Sequence, residues 1–385
     1  MIPSKKIYLD YNATTPVDPR VLESMLPYFS EKFGNASSSH HVYGWEAEEA
    51  VDTAREQVAG LIGARPIEIY FTSGATEAIN LAFMGICDAY REKGNHIITC
   101  TTEHKAVLDT CEQLQRQGFD ITYLKVDKDG TIDLQDLQNA FTGKTILVSL
   151  MHANNETGLI HPLTKIAAMV KERDILMMTD ATQAVGKIPF DVNDLHIDVA
   201  AFSAHKLYGP KGVGALYVRK RPKVNISSYL FGGGQERGLR PGTLNVPGIV
   251  GFGKAIELCD KEMDSDALRL GQLRDTIEKE LLMLDGVHIN GNTSRRLPHT
   301  TNLSFHHIDE NQLIPSMKRL AVSRGSACSS ATTRPSHVLK NMGLSNHLAL
   351  SSLRIGLGRF TTNDEVHIAI DTIKAAVEKL RIITT

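Results

Sequence analysis

Ile175-Leu-Met-Met-Thr-Asp-Ala-Thr-Gln183 and Val199-Ala-Ala-Phe-Ser-Ala-His-Lys206 decide the reading of this chain. Each begins as an apolar run, over 175–178 and 199–202, and ends on polar residues. Such runs read as strands buried on both faces of a parallel sheet. The first then carries a carboxylate, Asp180, and the second an amine, Lys206, to the ends of neighbouring strands. Taken singly, Asp180 reads as a helix cap and Lys206 as a solvated loop lysine. Taken together they suit pyridoxal 5'-phosphate, which needs a lysine for a Schiff base and an acid for its pyridinium nitrogen.

The surrounding pattern supports a sheet of that kind. From about residue 45 to 220 strands alternate with helices: a helix over 45–62, a strand over 67–71, a helix over 75–89, a strand over 96–100, a helix over 106–117, and strands over 121–126 and 146–151. This rhythm predicts an α/β fold with a mostly parallel sheet covered on both faces, whose ligands bind at the carboxyl ends of the strands. A glycine-rich passage over 232–247 breaks the pattern. Beyond it lie a long helix over 249–284, strands over 301–305 and 320–323, and a last helix over 364–381. The expected division is a large domain over 15–255 and a smaller α+β domain built from 1–14 plus 256–385.

Between the 67–71 strand and the next helix stands Thr72-Ser-Gly-Ala-Thr76. Free N–H groups and the positive dipole end at a helix start suit a phosphate, and Gly74 permits close approach. Thr76 adds a hydroxyl; ordinary Ser/Thr capping is the plainer explanation. Ser203 and His205 are further phosphate donors in this reading, and Gln183 is a donor for a ring phenolic oxygen. His104 follows a strand end, where an imidazole stacks on a ring and moves protons near neutral pH. Asn155 reads either as a substrate or phenolate contact or as an Asx-turn. Arg354 reads either as a bidentate carboxylate binder or as a salt-bridged strand arginine.

The chain has 385 residues, 42% hydrophobic, and a formal net charge of −2. That balance offers no electrostatic case for nucleic acid or an anionic membrane. No apolar run approaches the ~18 residues of a span. The start, Met1-Ile-Pro-Ser-Lys-Lys, has no signal-peptide core, which predicts a cytoplasmic protein. The five cysteines are scattered, with no CxxC pair, which argues against disulfides and structural zinc. Cys87, Cys100, Cys111 and Cys259 fall in expected helices and a strand and read as packing residues. Cys328 lies among small residues, Ser323-Arg-Gly-Ser-Ala-Cys328-Ser-Ser-Ala-Thr-Thr333, and reads as a reachable thiol.

Together these segments resemble the cysteine desulfurases of the NifS/IscS type, which are fold-type I pyridoxal-phosphate enzymes. The resemblance runs through Tyr8-Leu-Asp-Tyr-Asn-Ala-Thr-Thr-Pro16, Thr72-Ser-Gly-Ala-Thr-Glu77, Thr102-Glu-His-Lys105, Asn154-Asn-Glu156, Asp180-Ala-Thr-Gln183, Ser203-Ala-His-Lys206, Gly325-Ser-Ala-Cys328 and Leu357-Gly-Arg359. It implies that Lys206 is the Schiff-base lysine, Asp180 the pyridinium partner, Gln183 the phenolate contact and His104 the stacking acid–base residue. It implies phosphate contacts from Ala75, Thr76, Ser203 and His205. Thr243 is implied to reach the phosphate of the other subunit in a homodimer. Asn155 and Arg354 are implied to bind the substrate carboxylate. Cys328 is implied to be the nucleophile that becomes a persulfide, with L-cysteine as substrate, L-alanine as product and no metal. The implied acceptor is a protein, such as an iron–sulfur scaffold or a sulfur carrier.

The sequence departs from the housekeeping subgroup at Pro241 and Arg324, where that subgroup has serine, and it ends at Thr385. The subgroup carries a further tail that docks its scaffold, which leaves the acceptor open. Two other classes are weighed: another fold-type I enzyme, such as an aminotransferase or selenocysteine lyase, and a non-catalytic protein on a decayed enzyme fold. Cys328 speaks against an aminotransferase, and intact Lys206 and Asp180 speak against decay.

Overall fold

The computed structural model describes residues 6–325 and 334–384. Its large sheet has seven strands, in spatial order Ile69–Thr72, Gly214–Val218, Val199–Ser203, Leu176–Asp180, Thr145–Ser149, His96–Cys100 and Asp120–Leu124. Gly214–Val218 runs against both neighbours, while the other pairs are parallel. The strand–helix alternation breaks here: residues 204–213 carry no crossover helix, so the chain returns antiparallel beside the strand it has just left. Its reversal returns residues 211–214 to the sheet edge where the parallel strands end.

Alternating residues divide the interior into two layers. Phe71 and Phe202 face one side, meeting Phe252 edge-on at 6.3 and 5.9 Å beneath the helices Val42–Leu61 and Val246–Leu281. Tyr70, Val199 and Ala201 face the other, under Ala75–Ala89 and Lys105–Arg116. Several boundaries differ from expectation, two of them for a visible reason. The first long helix starts at Val42, because His41 Nδ1 accepts from Gly44 N at 3.1 Å and caps it. Residues Pro66–Glu68 form a 3₁₀ turn rather than strand, with Glu68 Oε2 accepting from Arg65 N at 2.9 Å.

A second sheet joins Ser352–Gly356, Thr300–Phe305 and Val287–Ile289 in antiparallel order. The long helix Val246–Leu281 serves both cores: Phe252 and Ile256 belong to the first, and Leu273 and Ile277 to the second. The expected division at 255/256 therefore falls within an unbroken helix. The strand expected over 320–323 is limited to Leu320–Ala321, which pairs in parallel with Ile7–Tyr8. From there the N-terminal segment crosses to the large sheet, where Thr15 N donates to His205 O at 2.9 Å.

The glycine-rich passage folds back over the edge strand. Buried Glu236 accepts from Phe71 N at 2.7 Å and from Arg55 at 2.9 and 2.7 Å. It thus satisfies an edge N–H that would otherwise template pairing with another chain. Among the described residues no helix is long and apolar enough to cross a membrane.

Candidate active site

A cavity of about 500 Å³ opens at the carboxyl edge of the large sheet. Ala75, Thr76, His104, Asn155, Asp180, Gln183, Ser203, His205, Lys206 and Arg354 all line it. They converge because turns after five parallel strands and one strand of the small sheet meet at this edge.

The phosphate loop owes its shape to two glycines. Gly74 adopts φ 156°, ψ 177°, a region that only glycine enters readily. A Cβ on Gly214 would stand 2.7 Å from Gly74 Cα, so glycine there lets the loop rest on the reversed strand. The helix Ala75–Ala89 has no side-chain N-cap, which leaves its first N–H groups without intrahelical acceptors. Arg240 pairs with Glu77 at 2.7 Å, so the first turn gains no unbalanced negative charge.

Lys206 projects under the N-terminal segment, and its Nζ donates to Asn12 O at 2.6 Å and Ala13 O at 2.7 Å. Asp180 lies on the adjacent parallel strand, 7% exposed, with Oδ1 accepting from Thr182 N at 2.9 Å. His104 is the N-cap of Lys105–Arg116, and its Nδ1 accepts from Ala106 N at 3.1 Å. That bond sets the tautomer and leaves Nε2 as the nitrogen available for chemistry. Burial lowers the His104 pKa, against the pull of Asp180. His205 is pushed down to about 4, chiefly by burial and then by Lys206, Lys211 and Lys187, so it meets a ligand as a neutral ring.

Arg354 matches its reading as a salt-bridged strand arginine. It is a buried strand residue paired with Asp10 through Nη2 at 2.7 Å, and Nη1 donates to Asn155 O at 3.0 Å. It also lines the cavity, and its buried Nε has no partner among the described residues. Asn154, not Asn155, makes the Asx-turn, accepting from Glu156 N at 2.9 Å and Thr157 N at 3.0 Å. Asn155 is thereby turned toward the cavity.

Two expected residues stand apart. Thr243 is exposed and does not line the cavity of its own chain. Cys328, expected as a reachable thiol, lies in a segment outside the described residues. The chain on either side of that segment is anchored beside the cavity. Arg354 N donates to Ser323 O at 2.6 Å, Ser336 bonds Glu156, and His337 Nε2 bonds Glu103 O at 2.9 Å. The other four cysteines are buried, and burial pushes the thiols of Cys87, Cys100 and Cys259 up to about 12, 11 and 11. Cys111 shifts the same way. These are inert thiols. No cluster of His, Cys, Asp or Glu among the described residues could hold a metal ion.

Asn12, Thr182 and Lys211 also line the cavity and were missed from sequence. Asn12 stands in the Tyr8–Pro16 motif, but it acts through its backbone carbonyl, which no residue type announces. The Arg240–Glu77 pair joins residues far apart in sequence, and neither spacing nor composition reveals it.

Buried neutral histidines beside the site predict a pH dependence. Burial lowers His152 and His161 to about 4, and both rings of this pair are almost wholly enclosed. Their folded values lie below the unfolded ~6.5, so their stabilisation is complete above that pH and is lost as pH falls toward 4. Each contributes up to about 3 kcal/mol across that window. Urea unfolding from pH 7.5 to 5 should show falling stability, less steeply in His161→Phe. A flat profile would contradict the neutral state of these rings.

The aminotransferase class-V family model matches residues 7–368. The cysteine desulfurase IscS of Anaeromyxobacter dehalogenans (strain 2CP-C) is 54% identical over 376 residues, covering 97% of this chain and 93% of that protein. That of Klebsiella pneumoniae subsp. pneumoniae is 50% identical over 377 residues, with the same two coverages, 97% and 93%. Among solved structures, a NifS-like protein superposes with a TM-score of 0.90 at 40% identity, over 98% of this chain and 100% of its own. SspA in complex with cysteine matches with a TM-score of 0.82 at 38% identity, over 92% of this chain and 100% of its own.

Proposed function

Because the chain belongs to the aminotransferase class-V family, we propose that it is a cysteine desulfurase, converting L-cysteine to L-alanine and a persulfide on Cys328. One observation carries this reading. Asp180, at the end of its strand, and Lys206, in the turn after the adjacent parallel strand, enter a cavity that also holds an uncapped helix start and a buried arginine with an unpartnered N–H.

These residues fit pyridoxal 5'-phosphate. Lys206 is the amine that would hold it covalently, and Asp180 would face its ring nitrogen. Ala75, Thr76, Ser203 and His205 would hold its phosphate, Gln183 its phenolic oxygen, and His104 would lie against the ring. When bound, the cofactor supplies an electron sink for carbanion chemistry.

The chain's own groups account for the rest. Arg354 Nε–H and the Asn155 amide suit a substrate carboxylate, which fixes the amino acid's orientation. Lys206, released from Asn12 O and Ala13 O, is the base for the α-proton. The Cys328 thiolate attacks the substrate sulfur. A sulfur–sulfur bond forms as the carbon–sulfur bond breaks, and its electron pair stays with carbon, which takes up protons and leaves as alanine. No external oxidant is needed, because the outer sulfur is oxidised as carbon is reduced. Cys328 is three residues beyond Gly325, at most about 11 Å of chain. Gly325 packs against Glu156 beside the cavity.

The persulfide would pass to a protein acceptor, an iron–sulfur scaffold or a sulfur carrier, in the cytoplasm. The test is product identity: cysteine with a reductant should give sulfide and alanine in equal amounts. A keto acid in place of alanine would point to an aminotransferase and overturn the proposal.

We also propose a homodimer with shared sites. Thr243 is exposed on its own chain, yet the Arg240–Glu77 pair ties its loop to the phosphate loop's helix. A residue placed there suits a phosphate across an interface. Sedimentation should find the active species at least dimeric. A fully active monomer would contradict the shared site.

A further inference from the structure

Gln183 is held from behind by a lysine. Its Oε1 accepts from Lys187 Nζ at 2.7 Å, and its Nε2 donates to Asn12 O at 2.9 Å. Together these bonds fix which way the amide points. Lys187 Nζ donates here and the Asn12 carbonyl can only accept, so the amide oxygen faces Lys187 and the amide nitrogen faces Asn12. Asn12 O also accepts from Lys206 Nζ at 2.6 Å, so one hydrogen-bonded chain runs from Lys187 through Gln183 and Asn12 to the reactive amine.

Lys187 does not line the active-site cavity. It lines a small separate one behind it, with Tyr208, Asp266 and His299. The setting is unfavourable for a cation. Burial lowers its pKa to about 7, and Lys206 and Arg354 act in the same direction. Ion pairing does not explain its placement, since Lys187 forms no salt bridge among the described residues and the acceptor its Nζ meets is the Gln183 amide oxygen.

We propose that Lys187 is a positioning residue for the cofactor site, keeping the Gln183 amide N–H turned toward the cofactor's phenolic oxygen. The proposal rests on assigning this cavity to pyridoxal phosphate. A reversed amide would present its oxygen to an anionic phenolate, replacing attraction by repulsion. The same reversal would also set the amide oxygen against Asn12 O, so both bonds oppose it, and Lys187 is the side chain that does so from behind the cavity.

The test is the pH dependence of visible absorption in the cofactor-loaded enzyme. A donor on the phenolic oxygen favours its anionic form and lowers the midpoint of the absorption change. Lys187→Met should raise that midpoint by about half a unit to one unit, the scale of one hydrogen bond. Lys187→Gln, whose own amide can present either end, should shift it the same way and serves if the apolar variant does not fold. Lys187→Arg, which keeps a donor, should return the midpoint toward wild type. In a Gln183→Ala background, adding Lys187→Met should shift nothing further, because the residue through which it acts is gone. An unchanged midpoint in Lys187→Met and Lys187→Gln, or the same extra shift in the Gln183→Ala background, would overturn the inference alone. Wild-type protein that gains no visible band with pyridoxal phosphate would overturn the site assignment and this inference with it.

Discussion

Lys206→Ala should yield a folded protein that takes up pyridoxal phosphate without a covalent link and turns over cysteine at least about 10³-fold more slowly, the scale of a lost general base. The geometry leaves no substitute. Lys187 is tied to Gln183 from behind, and Lys211, though it lines the cavity, stands beyond the turn that carries Lys206. Folding should survive, because Asn12 O keeps its bond from Gln183 Nε2 when the one from Lys206 is lost. Borohydride reduction followed by peptide mapping reads the result directly. Wild-type protein should retain cofactor on the peptide containing Lys206, and the variant should retain none. Cofactor fixed on another lysine in the variant would remove Lys206 from its role.

Cys328→Ser should bind cofactor and cysteine normally yet lose alanine formation by at least about 10³-fold, since a hydroxyl is a far weaker nucleophile toward sulfur. The other four thiols cannot stand in. Each is buried, and burial raises their pKa values so that little thiolate exists near neutral pH. Single replacements of Cys87, Cys100, Cys111 and Cys259 by alanine should therefore leave alanine production close to wild type. Undiminished production by Cys328→Ser would reopen the lyase reading, in which no protein thiol takes the sulfur.

The site was legible in the sequence wherever chemistry depends on a side-chain type at a strand end. Asp180, Lys206, His104 and the Thr72–Thr76 loop are of that kind, because apolar runs mark the strands and polar residues follow them. Arg354 was legible only as a pair of alternatives; the structure shows the salt-bridged strand arginine, with Nη1 and Nη2 both bonded. What stayed hidden was of two sorts. The reversed strand Gly214–Val218 has the same apolar pattern as a parallel one, and direction leaves no mark on a period-two signal. Contacts between distant segments, such as Asn12 O with Lys206 or Glu236 with Phe71 N, depend on the backbone and on tertiary placement. The chain carries no local trace of either.

The most direct test of the account follows the sulfur itself. Enzyme incubated with radiolabelled-sulfur cysteine and no reductant should carry up to one label per subunit, released by dithiothreitol. Peptide mapping should place that label on the fragment containing Cys328, with alanine formed in equal amount. Label on any other cysteine, or alanine formed without protein-bound sulfur, would contradict it.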